Sequence, residues 1–158
     1  LTQQWLHDYR TEGCTEKAMD GAASAGHLDV VKWLHHNRTE GCTTDAMDGA
    51  AENGSWDVIK WLHENRTEGC TGNALFLAAK HGHADVFRWL FENRSERCPS
   101  SRNMFDWVAA NGHLSVIKLL HMLEVEGCTE RAINWAAKDG HIETVKWLHE
   151  NRTEVKGG

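Results

Sequence analysis

The stretch Ala22-Ala23-Ser24-Ala25-Gly26-His27-Leu28-Asp29-Val30-Val31-Lys32-Trp33-Leu34 decides the fold, because its pattern returns along the whole chain. Ala50 to Leu62, Ala78 to Leu90 and Ala136 to Leu148 repeat it closely, and Val108 to Leu120 keeps its spacing. Working outward, Trp-Leu begins at Trp5, Trp33, Trp61, Trp89 and Trp147, with Leu119-Leu120 once in its place, so the steps are 28, 28, 28, 30 and 28 residues. Cys14, Cys42, Cys70, Cys98 and Cys128 keep the same beat, as do Gly26, Gly54, Gly82, Gly112 and Gly140. The one irregularity is a two-residue insertion after Cys98, where Pro99-Ser100-Ser101 stands for a single Thr. Self-similarity at a fixed period of this size marks a stacked repeat array. The 158 residues divide into a leading half-unit, 1–13, and units of about 14–41, 42–69, 70–97, 98–127 and 128–158, one repeat domain spanning 1–158.

Each unit reads as two helices. The first starts at a hydroxyl N-cap (Thr15, Thr43, Thr71, Ser101, Thr129) and runs through an Ala-rich stretch to the marker Gly. Met19, Met47, Leu75, Phe105 and Ile133 share its apolar position, and the alanines three and four residues on let a neighbouring backbone come close. The second helix opens near Leu28-Asp29 and carries Val30, Val31, Trp33 and Leu34 at helical spacing. Asp29/Lys32, Asp57/Lys60, Asp85/Arg88 and Glu143/Lys146 are i,i+3 pairs of opposite sign on its solvated side. A two-helix unit of 28 residues cannot bury its apolar face alone, so it must stack on its copies. The expected fold is all-α, a solenoid of about five and a half helix-turn-helix repeats.

The quoted stretch, read as A-A-x-x-G-H-x-x-V-V-x-x-L-L, resembles the ankyrin repeat, and the likeness recurs in every unit. It is most similar to the long tandem ankyrin-type arrays of oomycete proteins. Two features depart from the family: the T-P-L-H opening is replaced, with Asp45-Ala46-Met47-Asp48 in its register, and the period is 28 rather than the family's 33 residues. The shortening implies loss of the projecting β-hairpin finger, leaving a bare stack of helical hairpins.

Composition agrees with a soluble globular chain: 41% of residues are hydrophobic and 25% charged. No window approaches the roughly 18 uninterrupted apolar residues of a membrane span, and Leu1-Thr2-Gln3-Gln4 does not open a signal peptide. The chain starts without Met, which reads as an excerpt or a chain that has lost a leader. A net charge of −6 argues against nucleic acid as partner, since that binding needs a basic footprint. Eleven histidines, fully protonated, would take it to +5, so surface electrostatics should change sign in mild acid.

The residues that could carry chemistry read mainly as structural. Helices stack about 8–10 Å apart, whereas a disulfide needs Cα atoms within roughly 7 Å, so the five cysteines are expected to be reduced packing residues. Free thiols favour a reducing, cytoplasmic compartment. The histidines form two ladders: His27, His83, His113 and His141 after the marker Gly, and His7, His35, His63, His121 and His149 after the Trp-Leu position. Ser55 interrupts one ladder and Phe91 the other, a replacement that a metal ligand or catalytic base would not survive, so the Gly-His histidines are expected to bond turn backbone. No cofactor, metal site or catalytic grouping stands out from the periodic background, and the chain reads as non-enzymatic.

Asn37, Asn65, Asn93 and Asn151 each open an N-x-[ST] sequon at one repeat position, and Asn53-Gly54-Ser55 makes a fifth. Two readings compete: the Asn closes the second helix, or, in an exported chain, it carries a glycan. Positions that differ between units are free to meet a partner. These cluster on the first helix: Lys17, Asp45, Asn73, Asn103 and Arg131 near its start, and Asp20, Asp48, Phe76, Asp106 and Asn134 three residues later. Gly21, Gly49, Leu77, Trp107 and Trp135 share a position about 200° around the helix from Met19 and its equivalents, where the two tryptophans either contact a partner or pack between repeats. The expected function is a non-catalytic protein–protein interaction scaffold that presents a concave first-helix surface. The alternative is a self-assembling element stacking head-to-tail into filaments, because Trp5-Leu6 and Val145-Trp147-Leu148 at the two ends look like interior units without polar caps.

Overall fold

The computed structural model describes residues 15–96, 101–125 and 127–151, with 101 and 102 as backbone only. The half-unit 1–13 with Trp5 and His7, Cys14, Cys98 and the insertion at Pro99-Ser100 lie outside them. Two helices per unit follow in order: α1 Glu16–Ser24 and α2 Leu28–Asn37, α3 Asp45–Glu52 and α4 Trp56–Asn65, α5 Gly72–Lys80 and α6 Ala84–Asn93, α7 Ser101–Ala110 and α8 Leu114–Met122, α9 Glu130–Lys138 and α10 Ile142–Asn151. There is no strand among the described residues, and the links described there carry no β-hairpin finger. No helix there is long and apolar enough to cross a membrane.

Each helical hairpin turns at its marker Gly. Gly26, Gly54, Gly82, Gly112 and Gly140 have φ between +67° and +85°. This left-handed conformation lets the residue after each Gly donate its N–H back to the first helix: His27 to Ala22 O, Ser55 to Ala50 O, His83 to Ala78 O, His113 to Val108 O and His141 to Ala136 O. That is the Schellman arrangement, which satisfies carbonyls otherwise orphaned at the helix end. The link after α8 departs from the others: Glu124 itself takes positive φ, 53°, and Val125 N–H returns to Leu120 O.

Stacking produces one continuous core. First helices lie against first helices of neighbouring units more closely than second helices do. The cause is side-chain size: Ala23, Ala50, Ala51, Ala78, Ala79 and Ala109 are wholly buried at that contact. Met19, Met47, Leu75 and Phe105 fill the space toward the second helices, which contribute Val31 and Leu34, Val58 and Leu62, Val86 and Leu90, and their equivalents. Each of these large side chains contributes about 1.5–3 kcal/mol by leaving water. Of the four expected i,i+3 pairs, Glu143–Lys146 closes, at 3.0 Å and on the exposed surface, where such pairs matter little.

Candidate functional site

Repeat positions are used first to hold the stack, and an aspartate does much of this. Asp20 accepts from Thr43 N at 2.8 Å and from Thr43 Oγ1 at 2.9 Å. Asp48 takes Thr71 in the same way, and Asp106 takes Thr129 N at 3.0 Å and Oγ1 at 2.7 Å. Each Thr hydroxyl in turn accepts from the N–H two residues on, as Thr71 does from Asn73 N at 3.1 Å, capping the next first helix. A carboxylate in one unit therefore holds the helix N-terminus of the following unit. Asp48 and Asp106 are 7% and 1% exposed. Burial pushes the Asp48 carboxyl above the usual aspartate range, with the Thr71 bonds working against that rise. Both carboxylate oxygens of Asp20, Asp48 and Asp106, residues expected to be open to a partner, are thus engaged between units.

The two histidine ladders also work between units. His83 Nε2 lies 3.0 Å from Glu52 O, at the end of the preceding unit's first helix, and His113 bonds the Lys80 backbone. The bonded backbone thus belongs to the unit before. Their rings lie on the preceding marker glycines, and a Cβ added to Gly82 would fall 2.5 Å from His113 Nδ1. Ser55 takes the equivalent place over Gly26, which explains how the first ladder tolerates a gap. In the second ladder three imidazoles meet the next unit's indole edge to face: His35 with Trp61 at 5.1 Å, His63 with Trp89 at 4.9 Å and His121 with Trp147 at 5.2 Å between centroids. Phe91 breaks that ladder where the next unit offers Leu119 in place of Trp, and it stacks on Phe87 instead.

The links carry a motif that sequence reading passed over. Arg38 pairs with Glu40, Arg66 with Glu68 and Arg94 with Glu96. The Arg38 guanidinium lowers Glu40 directly; burial works upward on Glu68 and Glu96, yet the arginines and nearby N–H groups bring both below the ordinary value. The Arg-x-Glu spacing at a constant repeat position was the signal. Cys42 and Cys70 are buried free thiols beside these arginines, and Cys128 is partly exposed. Burial raises the Cys42 thiol and takes Cys70 to about 11, so neither is ionised near neutrality.

The rest of the first-helix positions are available. Lys17, Asp45, Asn73, Asn103, Arg131 and Asn134 are exposed, and Phe76 is half-buried. Trp107 is 43% exposed and packs on half-buried Trp135, with centroids 5.4 Å apart and planes at 52°. Thus the pair packs between repeats and still presents indole surface. Trp107, Ala110, Trp135 and Lys138 line a shallow hollow of about 150 Å³ between α7 and α9, and Gly49, Glu52, Phe76 and Leu77 line a groove of about 450 Å³ between the first helices α3 and α5. The sequon asparagines Asn37, Asn65, Asn93 and Asn151 are all exposed, and each amide donates to the carbonyl four residues back, at 2.8–2.9 Å, closing the second helix.

With this geometry in place, comparison with known proteins is specific. The family profile described as ankyrin repeats (3 copies) matches residues 19–102 and 47–128. The chain belongs to the ankyrin-repeat family. Among solved structures, the crystal structure of the human ASB11 ankyrin repeat domain is similar in fold, with a TM-score of 0.65 at 20% identity, covering 84% of this chain and 67% of that one. No curated protein sequence matches significantly. This ankyrin array keeps the helical hairpin and its stacking, and does so with links only a few residues long.

Proposed function

We propose that this ankyrin array is a non-catalytic scaffold whose first-helix surface, on the concave side of the stack, binds another protein. The observation carrying this reading is the row Phe76, Leu77, Trp107 and Trp135. Leu77, Trp107 and Trp135 replace Gly21 and Gly49 in the later units, Phe76 stands beside them where Asp20 and Asp48 occur, and indole surface is left in solvent, flanked by exposed Asn73, Asn103, Arg131 and Asn134. Tryptophan supplies large rigid contact area and dominates many interfaces. Ankyrin repeats generally mediate protein–protein interaction, and that generality adds weight. The test is affinity capture from extracts of the source cells with wild-type chain and with Trp107→Ala/Trp135→Ala. Proteins retained by the wild type and lost from the variant at comparable melting temperature support the reading; equal retention rejects it.

A second reading, head-to-tail self-association, is favoured by one comparison between units. Ala137 is exposed where its equivalent Ala109 is wholly buried, and Ile142 is 59% exposed. The last unit thus presents apolar positions that a further unit or a second copy would cover, and open-ended stacking of that kind makes filaments. Light scattering of the 158-residue chain against concentration tests it, a constant monomer mass counting against assembly. In an exported chain the exposed sequon asparagines would also carry glycans, which an intact-mass shift on deglycosylation would reveal.

A further inference from the structure

The second helices carry a groove of about 500 Å³ that lies away from the first-helix surface, spanning three units from the start of α4 across α6 to α8. Four departures from the repeat converge there. Trp56 is bulky and Ala84 small where other units have Leu28, Leu114 and Ile142; Leu119 replaces the ladder Trp; Ser115 replaces the acid found as Asp29, Asp57, Asp85 and Glu143. Stacking imposes the same demand on a repeat position in every unit, so departures that meet at one place have a local cause. Leu119 is buried and forms the floor. Trp56 and Trp89 form the wall as two perpendicular indoles, 5.7 Å between centroids and 89° between planes.

The rim has a sign. Asp85 and Glu92 sit four residues before and three after Trp89 on α6, placing both carboxylates on the face that carries the indole. Arg88 is the one cation lining the groove among the described residues, so the rim is net negative. None of the ion pairs among the described residues engages Asp85, Arg88 or Glu92. Indole faces attract cations, carboxylates bond them, and an apolar floor receives the methylene stem of a long basic side chain. We propose that this groove binds a basic peptide segment of a partner by taking a lysine or arginine side chain against Trp56 and Trp89, with Asp85 and Glu92 on its charged head.

The test uses the full 158-residue chain with labelled tryptophan, following the indole N–H signals by NMR. The probe is a blocked Gly/Ser peptide carrying two arginines, compared with a twin carrying neutral citrulline and another carrying tryptophan. Saturable shifts confined to Trp56 and Trp89 are expected, with binding roughly ten-fold weaker for citrulline. Leu119→Trp restores the residue of the other units and fills the groove, and it should lose the arginine peptide. Asp85→Asn/Glu92→Gln, altering exposed side chains, should lose it comparably. Citrulline or tryptophan peptides binding as tightly as arginine, or shifts that survive both variants, would overturn the proposal. Shifts that arise on concentrating the chain without peptide would assign the groove to a second copy and overturn it equally.

Discussion

Asp48 looks like any acidic side chain on a polar helix face until Thr71 of the next unit is placed over it. Removing it by Asp48→Ala leaves the half-buried N–H and hydroxyl of Thr71 without their carboxylate partner at a helix N-terminus, which costs about 1–3 kcal/mol. Asp45→Ala, three residues away on the exposed side, should cost under about 1 kcal/mol. Urea unfolding of both variants checks the contrast, and equal losses would refute the assigned role. A second residue-scale pair separates backbone strain from contact. Gly82 and Gly140 share the left-handed conformation, at φ +85° and +80°, so Ala at either pays about 1 kcal/mol of strain. Only Gly82 has His113 lying on it, whereas nothing approaches an added Cβ at Gly140 within 4 Å. Gly82→Ala should therefore be the more destabilising by about 1 kcal/mol or more, in the same unfolding measurement.

At the scale of helices, the sequence made the fold legible because three independent markers kept one period. The Trp-Leu positions gave the second helix, the alanines the close contact of the first, and the Gly-His pairs the turn between them. What stayed hidden was which polar positions face a neighbouring unit. Asp20, Asp48 and Asp106 vary to Phe76 and Asn134 elsewhere, so they pass for freely diverging surface; their aspartates occur where the following described unit opens with a capping Thr. Trp107 and Trp135 resisted a single reading for a related reason, since an indole is large enough to pack between units and remain wet at once. The close approach of first helices is testable by enlarging a contact alanine. Ala51 is wholly buried there, and Ala51→Leu should cost about 1–3 kcal/mol by forcing neighbouring helices apart. Ala137→Leu places the same side chain on an exposed position of α9 and should change stability by no more than about 0.5 kcal/mol.

Over the whole molecule, histidines couple the stack to pH. His113 is held below the ordinary imidazole value chiefly by burial, opposed by its bond to the Lys80 backbone and helped by the positive charge that His81, His83 and His141 acquire nearby. His35 is lowered as well, by burial and then by Arg66 and His36, with Glu68 opposing. A group whose folded value is depressed binds protons more readily when unfolded, so its contribution to stability is complete above the unfolded value of about 6.5 and is lost as pH falls through the folded one. Both groups act in the same direction. Acidification also carries the chain from −6 toward +5, replacing one sign of self-repulsion with the other across a stack whose neighbouring units share their imidazoles. The melting temperature is therefore expected to hold between pH 7 and 8 and to fall progressively below about pH 6.5. His113→Ser, copying the Ser55 that native stacking already accepts over Gly26, removes one of the two depressed groups. Its melting temperature should fall less steeply over the same acid range than the parent's, whatever its value at neutral pH; a parallel curve would mean that His113 does not couple the stack to acid.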